Sequence, residues 1–421
     1  MRWLIVEDAL RDRKGHWFEY ISTFDQGLRA LGDDVTILAE RHAEPFILDS
    51  LHAEAVLPDS IWHRMSDGAG FLRRYLRVPV HAWQTWLALR HFLRTDNNWD
   101  IIFIPTVMVH HLLGWYWLIR SPLRGNRTRV LLFFPNLPLR LEADGTPIWN
   151  PSPTTRLMRV LLNGLKPDIL AGRVIVGVET HQMRESFARL TGLPVTYFPH
   201  PVQPLMDSLP KTDEQTPTKI LMACYGPGRP EKGSDVLQEA LALYLGQFPN
   251  NASRFAFQWI DDFKNDRGEM VELSPQLQSN SRVNVIQRYF GPGEYARHLL
   301  ETHVMLVPYR CSSYVLRVSR VIIEAMVNGI PVVATKGTTL SAQTDEFGAV
   351  VGCEDGSVKS LCASIETAER NYPELRKRAM ERMPKARAHF SVKKFRDLLL
   401  AGPVYTQGEP VSQDPASSSS I

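Results

Sequence analysis

The sequence lacks the features that would place it in several large functional classes. Its 421 residues include only four cysteines, Cys224, Cys311, Cys353 and Cys362, none in a CxxC or other metal-ligand spacing. That excludes a disulfide-stapled scaffold and a zinc ribbon, and predicts reduced, mostly buried thiols. Charge of one sign is also missing: 48 basic residues stand against 45 acidic ones, a formal net charge of +3. A dedicated nucleic-acid protein would carry a strongly basic domain, so no nucleic-acid partner is expected. Nor is there a long apolar run. The longest stretch without a formal charge, Ile101 to Ile119, is interrupted by Pro105, His110, His111 and Gly114. A strand followed by a buried helix is a better reading of it than a membrane span. Glu7 and Asp8 stand where a secretory signal needs an apolar core. A cytoplasmic location is therefore expected, with the inner face of the membrane as its outer limit. No internal repeat is evident.

What is present suits two globular units. The length is about 2–3 times the ~150 residues of an ordinary domain. An apolar content of 44% supplies a core for each. Strand-like apolar runs alternate with amphipathic helices, the pattern of an α/β protein with parallel sheets covered on both faces. The first half offers strands at Trp3–Val6, Asp34–Leu38, Ile101–Ile104, Val130–Phe134 and Val174–Val178, and helices at Trp17–Leu31, Val80–Leu93, Thr155–Leu165 and His181–Leu190. In the second half, strands fit Lys219–Cys224, Phe255–Ile260, Val283–Ile286, Val304–Pro308 and Pro331–Ala334. Helices there fit Ser234–Phe248, Gly293–Leu300, Ser319–Asn328, Val358–Glu369 and Tyr372–Ala388. Each half suffices for a doubly wound domain. Thr196–Pro217, with five prolines, breaks both patterns and reads as a linker. The expected division is a domain over 1–195, the linker 196–217, a domain over 218–385, a C-terminal helix over 386–401 and a disordered tail over 402–421.

Two stretches carry chemistry. Gly226-Pro-Gly-Arg-Pro-Glu-Lys-Gly233 follows a strand and opens the helix beginning at Ser234, for which Ser234 fits the N-cap. Gly226, Gly228 and Gly233 let a backbone approach a ligand closely, and a helix start offers free N–H groups. Arg229 and Lys232 add two positive charges there, which suits a diphosphate; a charged surface turn is the plainer alternative. The order GxxxxGK[ST] is missing, so this is not a P-loop. The second stretch runs from Pro308 to Thr335 as strand end, polar loop, short helix and strand. Glu324 sits in that helix among Val321, Ile322, Ile323, Ala325 and Met326. A carboxylate there needs strong donors, which a ligand diol would supply and which Arg317 or Arg320 could also supply.

At these two stretches the sequence resembles the retaining GT-B glycosyltransferases of family 4, also called group 1. That group carries a G…R…KG loop, then a glutamate-bearing loop and the phrase EAMxxGxPVVxT. Here the phrase reads EAMVNGIPVVAT, Glu324 to Thr335. A bacterial branch whose loop reads YxxRxSxxxxEAxxxGxPVV is matched by Tyr314, Arg317, Ser319 and Glu324. The resemblance implies a GT-B fold, two Rossmann-like doubly wound domains facing across a cleft, with the last helices around Tyr372–Leu400 crossing back to brace the first. It implies a hexosyltransferase-type enzyme that moves a sugar from a nucleotide sugar to a glycan, polysaccharide or lipid-linked acceptor, with retention. Arg229 and Lys232 would hold the donor diphosphate, and Glu324 the ribose hydroxyls. Backbone N–H groups of Arg317, Val318 and Ser319 would lie near the phosphates or the sugar, as would Gly337 and Thr338. Gly15 and His16, after the first strand, would belong to the loop that closes over donor and acceptor. Most members of the group carry a further glutamate where this chain has Leu316. That leaves Tyr314 and Arg317 for donor-sugar contacts.

The chain has no Asp-x-Asp, which fits catalysis without a metal and with no cofactor beyond the donor itself. No pair of carboxylates suggests a hydrolytic glycosidase. Two alternatives stay open: a GT-B sugar-nucleotide epimerase, and a catalytically degenerate GT-B protein serving as an assembly partner. On the acceptor side, Ser60 to Val130 holds ten arginines against Asp67, Asp96 and Asp100, together with Trp62, Trp83, Trp86, Trp99, Trp115 and Trp117. Phe71-Leu-Arg-Arg-Tyr-Leu-Arg77 mixes bulky apolar and basic residues. Peripheral docking on an anionic membrane is expected from this mixture, against a solvated basic face over core tryptophans.

Overall fold

A computed structural model of the chain describes residues 1–12, 17–60, 71–96, 98–121, 123, 127–205, 219–265, 267–291 and 293–402, without the side chains of 71–76. Two parallel sheets organise it. The first runs, in spatial order, Glu54–Leu57, Asp34–Glu40, Arg2–Val6, Ile101–Ile104, Arg129–Phe134, Val174–Val178 and Val195–Tyr197. The second runs Val283–Ile286, Arg254–Gln258, Leu221–Cys224, Val304–Val307, Val332–Thr335 and Val350–Cys353. Every pairing within these two sheets is parallel, with Trp3 opposite both Val35 and Ile101, and Met222 opposite both Phe255 and Val304. Parallel strands are buried on both faces, which is why they read as continuous apolar runs such as Ile101–Ile104, buried throughout. These are two Rossmann-like domains of the α/β class.

Strand order reverses between Arg2–Val6 and Ile101–Ile104 in one sheet, and between Leu221–Cys224 and Val304–Val307 in the other. The carboxyl ends of such neighbours leave a crevice into which loops from both strands project. The segments following Cys224 and Val307 are the two chemistry-bearing stretches, so topology alone brings them together.

Local differences from the sequence reading have clear causes. The helix expected over Val80–Leu93 runs Phe71–Thr95 with Pro79 inside it, and the one expected over Thr155–Leu165 runs Pro153–Leu170 with Pro167 inside. Proline removes one intrahelical bond, and burial in the turn that follows, Ala82 and Thr85 in one helix and Ile169 in the other, carries the helix through. Strands Glu54–Leu57, Val195–Tyr197 and Val350–Cys353 are three or four residues long and were hidden by their brevity. Thr196 and Tyr197, expected to open the linker, instead pair with Gly177 and Val178 as the last strand of the first sheet. Pro194, Pro199 and Pro201 disguise that strand. Most of the expected linker and tail, residues 206–218 and 403–421, lies outside the described residues. All four cysteines are free, three buried and Cys311 half-buried.

The C-terminal helices link the two sheets. Helix Tyr372–His389 packs on the second domain, with Ala386 and Phe390 in a core shared with Ile322 and Met326. Helix Val392–Ala401 then crosses to the first domain. Its Phe395 joins Phe24, Phe103, Phe133 and Phe198 in one core, and Arg396 pairs with Asp33 at 2.6 Å. At the other end of the interface Leu316 packs into the core of the first domain, and its carbonyl accepts the Thr180 hydroxyl at 2.8 Å.

Candidate functional site

The loop Gly226–Gly233 is shaped by its glycines. Gly226 has φ 101° and Gly233 φ 62°, both in the left-handed region. A Cβ on Gly233 would stand 2.1 Å from the Pro308 carbonyl oxygen, so this glycine is what lets the two chemistry-bearing stretches touch. A Cβ on Gly226 would meet the Lys232 Nζ at 2.3 Å. Gly228 lies against the rings of Phe263 and Trp259. The Arg310 N–H donates to the Glu231 carbonyl at 3.0 Å, and the Arg310 guanidinium pairs with Asp235 at 2.7 Å. Helix Ser234–Gln247 is capped by Gly233 and not by Ser234, whose hydroxyl accepts the Arg229 N–H at 3.1 Å.

Two cations of different character result. Arg229 extends into solvent with its side chain 57% exposed, 3.7 Å from Glu231. Lys232 is drawn inward, its ammonium 5.9 Å from the centre of the Tyr309 ring. Among the described residues no carboxylate pairs with it, and burial holds its pKa below the ordinary lysine value. A desolvated, unpaired ammonium beside a helix start is arranged to receive an anion.

The second stretch surrounds this point. Tyr309 is buried, and its ring lies 4.7 Å from that of Tyr314. Burial pushes the Tyr314 hydroxyl up to about 12, so it stays protonated as a hydrogen-bond donor. The hydroxyl of Thr339 bonds to the carbonyls of Tyr314 (2.9 Å) and Arg317, which fixes the loop bearing exposed Arg317 and half-buried Val318. Ser319 is the N-cap of helix Arg320–Val327 but makes no side-chain cap bond there. Glu324, 7% exposed, already has donors: Arg320 Nε at 2.7 Å on one oxygen and the Tyr295 hydroxyl on the other. Of the two arginines the sequence offered, Arg320 is the partner. Thr338 caps helix Thr339–Phe347, accepting the Ser341 N–H at 3.2 Å and donating to the Thr335 carbonyl at 2.6 Å. Its hydroxyl is thereby committed to the fold rather than offered to a ligand. Gly15 and His16 lie outside the described residues.

Sequence reasoning missed a buried polar group of the first domain that lies near Arg320 of the second. Glu179 follows strand Val174–Val178 directly and takes His200 Nδ1 at 2.9 Å, both buried. Tyr20 stacks on His200 at 4.5 Å, near enough to Arg320 for that charge to act on its hydroxyl. Among the described residues neither the Tyr20 hydroxyl nor His200 Nε2 has a hydrogen-bond partner. The available signal was positional: a polar residue immediately beyond a buried parallel strand.

The basic, tryptophan-rich window divides in two. Trp99 and Trp115 are core residues, 4% and 1% exposed. Trp83, Trp86 and Trp117 gather at the surface, with Trp83 stacked on Trp86 at 4.8 Å and 6.4 Å from Trp117. Trp62 lies outside the described residues. Among the described residues no helix is long and apolar enough to cross a membrane.

No protein-family model matches the sequence, and no curated relative does. Solved structures do resemble it. Anabaena HepE in complex with UDP-glucose shares 13% identity over 95% of this chain and 98% of its own, with a TM-score of 0.57. The sucrose-phosphate synthase of Thermosynechococcus elongatus shares 15% over 95% and 97%, at 0.57. The putative UDP-N-acetylglucosamine 2-epimerase of Listeria monocytogenes shares 14% over 95% of both chains, at 0.53. With its two facing parallel sheets and this likeness over nearly its whole length, the chain has the GT-B fold.

Proposed function

We propose that this protein is a glycosyltransferase that moves a sugar from a nucleotide-sugar donor to a glycan, polysaccharide or lipid-linked acceptor, with retention and without a metal at the diphosphate. The observation that carries the reading is Lys232, a half-buried ammonium with no carboxylate partner among the described residues, set between a glycine-shaped loop and a helix start. Lys232 and Arg229 take the diphosphate. As the bond from the sugar C1 to the diphosphate oxygen breaks, the electron pair goes to that oxygen, where the two cations stabilise it. The acceptor hydroxyl oxygen forms the new bond to C1, and its proton passes to the departing diphosphate oxygen. Glu324 accepts from the ribose hydroxyls, held in place by Arg320 and Tyr295. Leu316 contributes to domain packing instead of sugar recognition, leaving the donor sugar to Tyr314 and Arg317. HepE was crystallised with UDP-glucose, which makes a uridine diphosphate sugar the first donor to try.

The test is a panel of nucleotide sugars incubated with the protein and a polyprenyl-linked or oligosaccharide acceptor, with free nucleotide read by mass spectrometry. Release of one nucleotide is expected, falling ~10²–10³-fold in Lys232→Ala. Turnover unchanged in both Lys232→Ala and Glu324→Ala would sink the site assignment. Conversion of the sugar nucleotide to its epimer would instead move the reading to the epimerase chemistry of the Listeria neighbour. Nucleotide binding without turnover on any donor would support the degenerate partner.

A further inference from the structure

The first domain has its own convergence of reactive side chains, at its own strand-order reversal and away from the diphosphate loop. Asp8 lies just beyond strand Arg2–Val6, and His110 and His111 open the helix Val109–Arg120 that follows Ile101–Ile104. His81 comes from helix Phe71–Thr95. All four are buried, between 1% and 7% exposed. One ligand atom from each, three ring nitrogens and a carboxylate oxygen, can be chosen so that all lie within 4.8 Å of one another.

Protons alone serve this cluster poorly. His111 Nε2 lies 2.9 Å from Asp8 Oδ2 and 3.0 Å from His110 Nε2, and a single proton on that nitrogen can be directed at only one of them. His81 Nε2 lies 3.0 Å from the same Asp8 oxygen, yet neither of its ring nitrogens makes a hydrogen bond among the described residues. An imidazole buried to 99% that sits beside a carboxylate without a directed hydrogen bond is costly unless something else takes its lone pair. A divalent cation resolves both conflicts, because neutral imidazoles and one carboxylate are then each ligands. Tetrahedral ligands at ~2.0–2.2 Å from such an ion stand about 3.3 Å apart. The spacings of 2.9 and 3.0 Å open by a few tenths of an ångström to meet this, and the wider separations, which reach up to 4.8 Å, close by as much as about 1.5 Å. Outside the cluster, His111 Nδ1 accepts the Met108 N–H at 3.2 Å, so this ring carries its proton on Nε2, and that proton must shift to Nδ1 when a metal takes Nε2.

We propose that Asp8, His81, His110 and His111 form a binding site for one divalent transition-metal ion of the zinc class. Three imidazoles with one carboxylate favour zinc or its neighbours over magnesium or calcium, which prefer oxygen. Four buried protein ligands make a closed site. Its effect is to tie helices Phe71–Thr95 and Val109–Arg120 to the end of the first strand, beside the acceptor crevice. The proposal is independent of the glycosyl-transfer reading and stands or falls without it.

The test uses the full chain, stripped with a strong chelator and dialysed against Zn²⁺, with metal measured by inductively coupled plasma mass spectrometry. One zinc per chain is expected, with a raised melting temperature, and Co²⁺ in its place should give the intense visible bands of a four-coordinate ion. His110→Gln and His111→Gln should each weaken binding by ~100-fold or more, while His91→Gln, on the exposed side of the same helix as His81, should not. No stoichiometric zinc in the wild-type chain overturns the site whatever the variants do. So does full zinc binding by His110→Gln and His111→Gln proteins whose circular dichroism matches the wild type. Should those variants not fold, Asp8→Asn takes their place, and undiminished zinc binding by it is equally fatal.

Discussion

Gly226 and Gly233 are seven residues apart in one loop, and a methyl group added to each meets a different kind of obstacle. At Gly233 it runs into backbone, the Pro308 carbonyl, at 2.1 Å, so the two chemistry-bearing stretches must separate. At Gly226 it runs into the far end of a flexible side chain, the Lys232 ammonium, at 2.3 Å. Both sites also carry a positive φ, which costs an alanine about 1 kcal/mol. Gly233→Ala is therefore expected to lower stability well beyond that figure and to abolish nucleotide binding. Gly226→Ala should melt closer to the wild type while displacing Lys232, so that nucleotide affinity falls out of proportion to stability. Thermal melts and nucleotide titration of both variants separate the two outcomes. If Gly226→Ala binds nucleotide as well as the wild type, Lys232 is not the anion's partner. These glycines and the charges between them could be read from sequence because spacing along one loop encodes them, and Arg320, four residues before Glu324 on one helix, was legible as its possible partner for the same reason. Tyr295 and Glu179 were not, since each acquires its role from contacts across the fold.

Helix Phe71–Thr95 shows why an element can be found while its use is misjudged. Its buried side, His81, Ala82, Thr85, Leu89 and Leu93, has helical spacing and was legible as such. The opposite side carries Val80, Trp83 and Leu87, exposed by 48%, 51% and 45%, beside the Trp86–Arg90 pair, where the guanidinium lies 4.6 Å from the ring. Aromatic and aliphatic side chains in the open, flanked by arginine, suit the interface of an anionic bilayer. The count of tryptophans overstated this face, because composition does not distinguish Trp115 in the core from Trp83 outside it. The expected outcome is co-sedimentation of the protein with vesicles containing phosphatidylglycerol, weaker binding to neutral vesicles, and loss of binding in a Val80→Ser/Trp83→Ser/Leu87→Ser variant. Equal recovery in the supernatant with and without vesicles would dismiss the membrane role. The strands missed by the sequence, Glu54–Leu57 and Val350–Cys353, are edge strands, where a few residues suffice because one side needs no partner.

At the scale of the molecule, the two domains are joined through the end of helix Tyr372–His389. His389 stacks on Phe347 of the second domain at 4.3 Å, and Tyr197 of the first domain reaches its Nε2 with a hydroxyl at 2.8 Å. Burial lowers its pKa to about 4, against about 6.5 in an unfolded chain. His181, whose ring lies 3.9 Å from that of Tyr197, is lowered by burial as well. Glu346 favours the protonated form of both rings, while Lys385 and Lys394 oppose it at His389 and Arg184 opposes it at His181. The net depression fixes the sign. Above pH ~6.5 neither folded nor unfolded chain binds a proton at His389. As the pH falls from there toward 4, the unfolded chain takes up the proton first, so stability is progressively lost across that window. A His389→Gln variant, which keeps an acceptor for Tyr197, should have a shallower fall of melting temperature between pH 6.5 and 4.5 than the wild type, and the other titrating groups cancel in the comparison. Parallel melting curves for the two proteins across that range would show that His389 exchanges protons as freely in the joined domains as in the unfolded chain. The interface would then be wetter than its stacked rings imply.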